Sequence, residues 1–569
     1  MKDYLVAKEA EIDEYFNNLG IWKYPYFTIY LSLSFHAEKI DFEKDGDNSG
    51  DFFARMSTFH EKIVELSLRK EFDSTWSALS LSLGDHHFPQ YLDFLYAYGH
   101  FSFLMPQIHR NIFNITKSGD NSVLLNFKTE NFVRSEITDR FLSEISLPVT
   151  IEYSKKKLLE EYLYQKVKKD SEPFDDQDLL WIRDIFSHHL SCKNRVELLS
   201  DKVLEENLGF NNLDFDRFEA SLRACTDFML YLARVYKSLS DEIDDKKKKE
   251  ELVGCYLEWC NCCLTYRFID LLIHISDIDG KTFHNILPYF ITIYSQPKAT
   301  KIRTCSHLGE GYMPPLTLTE NRILLNPLIT RNFLSFNNIL YSLSKKERKL
   351  FDEKISANLE PTLINQVDRV FSKFNALRRK KNVKIEGGEI DYLVLSEVEK
   401  VCLVFQIKAT LAPVSSRSTD RVQTRSLEGI KQLEYFRSKT EKSKLKLVNE
   451  IFGTDMSELK FIDILLVRSC AGSEDVWSHS HTIINYQLLC GLLGNKLNNN
   501  NKEFSNFEVE VRSYFDKNLE ISSPEVSNQE LNIKDLSLTF PIIDFKRMVK
   551  ARLKIFKDCS ILDNYRSAQ

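Results

Sequence analysis

Residues 387–408 read GGEIDYLVLSEVEKVCLVFQIK. Two β-rich runs, 389–395 (EIDYLVL) and 401–408 (VCLVFQIK), flank the charged turn SEVEK, which is the pattern of a β-hairpin. Side chains alternate faces along a strand. Alternation therefore predicts Glu389 and Asp391 on one face of the first strand. It groups Gln406 and Lys408 with Val404 on the second, with Phe405 and Ile407 turned to the core. A hydrophobic strand has no packing use for polar groups at its end. Two acids on one strand and a Gln-x-Lys on its partner can meet at one point. The pair Gly387 and Gly388 gives the backbone freedom to bend beside them.

Outward from the hairpin, the pattern is that of an α/β unit. Upstream, SKKE fits a capping box with Ser344 as N-cap and Glu347 at the third helical position, predicting a helix to about Leu359. Leu363, Val367, Val370, Phe371, Phe374 and Leu377 carry a second helix. Downstream, Val422, Leu427, Ile430, Leu433 and Phe436 mark the apolar side of a helix over 419–440. The run 461–467 (FIDILLV) reads as a fully buried strand, followed by a short strand at 482–484 and a helix at 486–493. Helix, hairpin, helix and strand in that order predict a mixed central sheet.

The whole chain has 569 residues, enough for two to four domains. Four segments are expected: a mainly α-helical region over 1–300, a linker or irregular packing segment over 301–343 in a Pro-rich stretch, the α/β domain over 344–497, and an extension over 498–569 with a final helix near 545–556. Helical spacing is visible in Phe218, Leu222, Cys225, Phe228, Met229 and Leu232. The charged run 241–251 reads as an inter-helix loop or exposed helix end, and 252–269 as an apolar helix. The cysteines at 255, 260, 262 and 263 lack zinc-knuckle spacing and read as structural thiols. The doublets His86-His87 and His188-His189 are poor chelates, because neighbours on a helix diverge. The N-terminus has no signal-peptide pattern and no apolar run reaches membrane-spanning length, so no membrane is expected and the location is expected to be cytoplasmic. Net charge is −6, yet residues 345–446 hold 23 Lys plus Arg against 14 Asp plus Glu, an excess of 9 that leaves −15 elsewhere. Such asymmetry is of the kind that creates a local basic surface on an acidic protein, and a helical segment with many solvated lysines accounts for it equally well. No Walker A, GxGxxG or HExxH pattern occurs.

The segment GGEIDYLVL…VCLVFQIKA resembles the restriction-endonuclease-like PD-(D/E)xK nuclease superfamily, over roughly 344–493. The resemblance implies a restriction-endonuclease-like fold with Asp391 as central metal ligand, Gln406 as second ligand and Lys408 as catalytic lysine. It also implies a helix acid, Glu353 or its neighbour Asp352, and help to the metal from Glu389 and the Ile407 carbonyl. Arg425 and Gln432 would face substrate phosphate. Mg²⁺ is the implied cofactor, with Mn²⁺ as a substitute, and nucleic acid, DNA before RNA, the implied partner. Family analogy further implies bacterial anti-phage defence or restriction, with a homo-oligomer or a defence-system protein as partner. The departure is Gln406, where the family's commoner residue is an acid; a neutral amide gives a cation less charge. Two other readings compete: an acid-x-acid nucleotidyltransferase site at Glu389 and Asp391, and an inactive nuclease-like scaffold that binds nucleic acid or a partner.

Overall fold

The computed structural model describes residues 1–43, 56, 59–68, 75–82, 84–147, 152–169, 174–192, 196–293, 314–318, 322–411, 416–472, 474–560 and 562. Helices dominate, and three sheets are set among them. The first begins as a hairpin of β1 (Phe113–Lys117) and β2 (Ser122–Phe127). A small sheet follows, formed by β3 (Cys262–Leu264), β4 (Ile291–Ile293), β5 (Leu316–Leu318) and β6 (Ile323–Leu325) in the order β3-β6-β5-β4. The segment expected as a linker thus carries two strands and the helices Pro327–Phe333 and Phe336–Lys346; residues 301–313 and 319–321 lie outside the described residues. No helix among the described residues is long and apolar enough to cross a membrane.

The central sheet comprises β7 (Arg378–Ile385), β8 (Gly388–Ser396), β9 (Val401–Lys408), β10 (Lys460–Val467) and β11 (Thr482–Asn485), in the order β11-β10-β9-β8-β7. Neighbours are antiparallel from β7 to β9 and parallel from β9 to β11, so the sheet is mixed. Helices cover both faces. On one, Ile430, Leu433 and Phe436 of the helix Ser416–Ser438 pack against Leu393, Val404 and Leu465. On the other, Leu363, Val367 and Phe371 of the helix Ala357–Phe371 belong to the core that holds Tyr392, Phe405 and Ile464. Double cover explains why every residue of β9 is buried, where alternation alone would suggest one wet face.

Four local expectations are corrected. Ser344 lies inside the helix Phe336–Lys346, whose N-cap is Ser335, and its hydroxyl donates to the Tyr341 carbonyl. The predicted break near Leu359 is absent: the helix Ala357–Phe371 runs through Pro361, preceded by a π-helical turn over Phe351–Ser356. The apolar helix expected over 252–269 ends at Cys260, gives way to β3 and restarts at Arg267. The C-terminal segment adds the helix Phe507–Ser522 and a hairpin of β12 (Pro524–Ile533) and β13 (Leu536–Phe545) before the last helix, Met548–Cys559. β13 pairs parallel with β2, so this end of the chain completes the first sheet.

Candidate active site

The open end of the β8-β9 hairpin is held by side chains instead of backbone pairs. Ladder pairing runs from Ser396↔Val401 to Tyr392↔Phe405 and stops there. One residue further, the Ile407 amide donates to the Asp391 carboxylate at 2.7 Å, and the Gln406 amide nitrogen donates to the Glu389 carbonyl at 2.6 Å. Each strand therefore satisfies a backbone group of the other through a side chain. The neighbouring edge strand changes face at the same level. Lys381 lies beside Asn365 and Asp368 of the helix Ala357–Phe371, whereas Val383, two residues on, joins the core of the opposite face with its partner Ile390. Asn382 between them adopts a left-handed φ of 52°, which breaks the alternation. Simple alternation from Glu389 to Asp391 does not describe this end of the sheet.

Lys408 is the hub. Its ammonium lies 4.0 Å from the Asp391 carboxylate and 3.8 Å from that of Glu360. Asp391 and Lys408 are only 7% and 8% exposed, and Gln406 is 1% exposed. The lysine stem packs under Gly429 of the helix Ser416–Ser438, where a Cβ would stand 3.1 Å from Lys408 Cε. Arg468, at the end of β10, ties the same parts together. Its amide donates to the Lys408 carbonyl at 3.1 Å, and its guanidinium donates to the Leu359 carbonyl, beside Glu360, at 2.9 Å.

Electrostatics follow from this crowding. Burial, above all, pushes the Asp391 carboxyl up to about 7; the Lys408 ammonium and the Ile407 amide oppose the rise, while Glu360 and Glu389 add to it. Glu360 is likewise raised by burial, with Lys408 and Arg425 pulling the other way. Two carboxylates, Asp391 and Glu360, thus share one lysine, with Glu389 adding its charge nearby. The Gln406 amide oxygen is buried with no hydrogen-bond partner, as are the hydroxyls of Thr410, just after β9, and Ser426, on the overlying helix. Buried polar atoms without partners are costly, and an unpartnered amide oxygen is of a type that can complete a cation's shell.

Glu353 is not part of this group. It is exposed on the π-helical turn, and Asp352 next to it is exposed too, 3.5 Å from Arg348. The acid that the helix brings to Lys408 is Glu360. Asp368 sits elsewhere, accepting from the Tyr392 hydroxyl. A signal for Glu360 exists in the sequence: Glu360, Ile364, Val367 and Phe371 recur at helical spacing, with the acid heading the buried stripe. Arg425 is exposed and pairs with Glu428 at 2.9 Å, close enough to act on Glu360. Gln432 is exposed on the same helix, seven residues on and thus on a similar face.

Of the cysteines at 255–263, Cys260 and Cys262 are buried, and Cys262 contacts the Met229 sulfur. His189 pairs with Asp227 at 2.8 Å. Comparison of the chain with protein-family models, curated proteins and solved structures gives no match.

Proposed function

We propose that the chain is a metal-dependent endonuclease acting on nucleic acid, DNA before RNA. The observation that carries the reading is the Lys408 ammonium within 4.0 Å of the Asp391 and Glu360 carboxylates, on the strand that also carries the buried, unpartnered Gln406 oxygen. The mixed five-stranded sheet with helices on both faces supports a restriction-endonuclease-like unit. The donor set fits Mg²⁺, a hard cation held by one or two carboxylates with neutral oxygens completing the shell. Asp391, Glu360 and the Gln406 oxygen would hold it, with Glu389 and the Ile407 carbonyl as further donors; Mn²⁺ fits the same oxygens. When bound, such an ion polarises the scissile phosphate and acidifies a water. The chain's own residues do the rest. Lys408 orients the attacking water and offsets the negative charge that grows on the phosphoryl oxygens. Asp391 and Glu360, at 4.0 and 3.8 Å, keep the Lys408 ammonium aimed. Arg425, on the exposed side, binds backbone phosphate, and the Lys and Arg side chains of β7 extend that surface. Restriction or anti-phage defence is the setting that the family resemblance favours.

A second reading, an inactive scaffold that only binds, draws on the burial of Asp391 and Lys408. The test is digestion of supercoiled plasmid and of single-stranded RNA with Mg²⁺, Mn²⁺ or chelator. Wild type is expected to cleave DNA with either metal. Asp391→Ala, Glu360→Gln and Lys408→Ala should each lower the rate about a hundredfold or more. Binding without cleavage under every metal selects the scaffold. Wild-type cleavage that persists in all three variants moves the chemistry elsewhere.

A further inference from the structure

A second cluster of metal-ligating side chains lies away from Lys408. Glu434 of the helix Ser416–Ser438 and His479 and His481, just before β11, each offer a ligand atom, all within 4.8 Å of one another. The Glu434 carboxylate and His479 Nδ1 are 3.2 Å apart. Ligand atoms around a tetrahedral ion with bonds of roughly 2.0–2.1 Å stand about 3.3 Å apart, so this pair already has the required spacing. A hydrogen bond alone accounts for that pair, but not for His481. Both ring nitrogens of His481 are buried and without a hydrogen-bond partner. Buried imidazole nitrogens normally find one.

The loop between the histidines is pre-positioned. Arg437 donates to the Ser480 hydroxyl at 3.2 Å and to the Asp463 carboxylate at 2.9 Å. Asp463 thereby offsets the Arg437 guanidinium, whose charge would repel a cation here. His481 precedes Thr482, which is level with Ile464 and, through it, with Phe405. At about 3.3 Å per residue and 4.8 Å per strand, the cluster is on the order of 15 Å from Lys408.

We propose that Glu434, His479 and His481 form a site for Zn²⁺ or a similar borderline transition-metal ion, with an open fourth position for water. Two imidazoles and one carboxylate suit such ions and not Mg²⁺ or Ca²⁺, which select all-oxygen shells. The ion clips the edge strand β11 to the helix whose Gly429 covers Lys408. The site is independent of the nuclease reading.

The test uses the full-length protein stripped of metal, titrated with Co²⁺ and with Zn²⁺. One equivalent of Co²⁺ is expected to give the visible absorption of a four-coordinate site with nitrogen ligands, displaced by Zn²⁺. Zn²⁺ should raise the unfolding midpoint, since a ligand that binds only the native state stabilises it. His481→Ala and Glu434→Gln should lose the absorption and the thermal shift, while Asp391→Ala keeps both. Glu434 is exposed, so its substitution spares the fold even if His481→Ala does not. No saturable Co²⁺ binding in the wild type, or binding unchanged in both cluster variants, overturns the proposal.

Discussion

Asp391 holds its proton unusually well, and this has a thermodynamic consequence that needs no substrate. Its carboxyl is pushed up to about 7, chiefly by burial, against about 3.9 in an unfolded chain. The native state therefore binds the proton more tightly than the unfolded state. The associated stability is full below about 3.9 and is lost as pH rises through about 7. Asp391→Asn removes the buried charge and keeps an oxygen to accept from the Ile407 amide. It is expected to raise the unfolding midpoint at pH 8 by a few degrees, with no difference near pH 4. Excess Mg²⁺ should raise the wild-type midpoint and leave the variant unmoved. Thermal melts across pH, with and without Mg²⁺, measure both effects. A variant less stable than wild type at pH 8 would mean that the carboxylate is stabilising where it stands.

At the scale of elements, the helix Ser416–Ser438 sets the position of Lys408 through Gly429. A Cβ there would stand 2.7 Å from Leu465 Cδ1 and 3.1 Å from Lys408 Cε. The leucine methyl can swing away, but the lysine stem can yield only by moving its ammonium. Alanine also gains about 1 kcal/mol of helix propensity over glycine, which offsets the crowding. Gly429→Ala should therefore cut cleavage about tenfold with little change in the unfolding midpoint; equal activity would show that Lys408 has slack. The same scale explains what the sequence disclosed. The hairpin, the overlying helix and β10 were legible because their apolar residues recur at the right period. Asp391 and Lys408 come within 4.0 Å, while Gln406 turns its amide nitrogen to the Glu389 carbonyl. β7 was missed because RRKKNVKI has one buried position, Val383, and gives no alternating signal. β12 was missed for the same reason, its side chains being mostly exposed. Glu360 was missed because Pro361, next to it, suggests a break and masks the helical spacing that ties the acid to Ile364 and Val367. The change of face at Asn382 depends on one backbone angle and leaves no mark on residue type.

At the scale of the molecule, the N-terminal helices grip the loops at the end of the central sheet. The carbonyl of Glu197 accepts from Arg468 at 3.2 Å and from Gln366 at 2.7 Å. Asn485, ending β11, donates to the Leu142 carbonyl at 2.8 Å. The tightest hold is Asp139, on the helix Glu130–Ile145. One of its oxygens accepts the amides of Ala471 and Gly472 at 2.7 and 2.9 Å and the Trp477 indole at 3.3 Å. These groups lie between β10 and β11, so Asp139 links the N-terminal region to β10, the neighbour of β9, and to β11 beyond it. Asp139→Ala leaves three donors without that acceptor, two of them buried backbone amides. Each unsatisfied donor costs about 1–3 kcal/mol, so a loss of several kcal/mol is expected in urea denaturation. Asp139→Asn retains an acceptor oxygen. Burial lifts the native carboxyl to about 6 although the two amides pull it down, so at neutral pH the charge itself is a burden that the amide avoids. The asparagine variant should thus lose far less than the alanine variant at pH 8. If both lose the same amount, or if neither does, Asp139 is not the clasp between the two parts. If the alanine variant unfolds in two separate transitions where wild type shows one, the clasp is what makes the helical region and the central sheet unfold together.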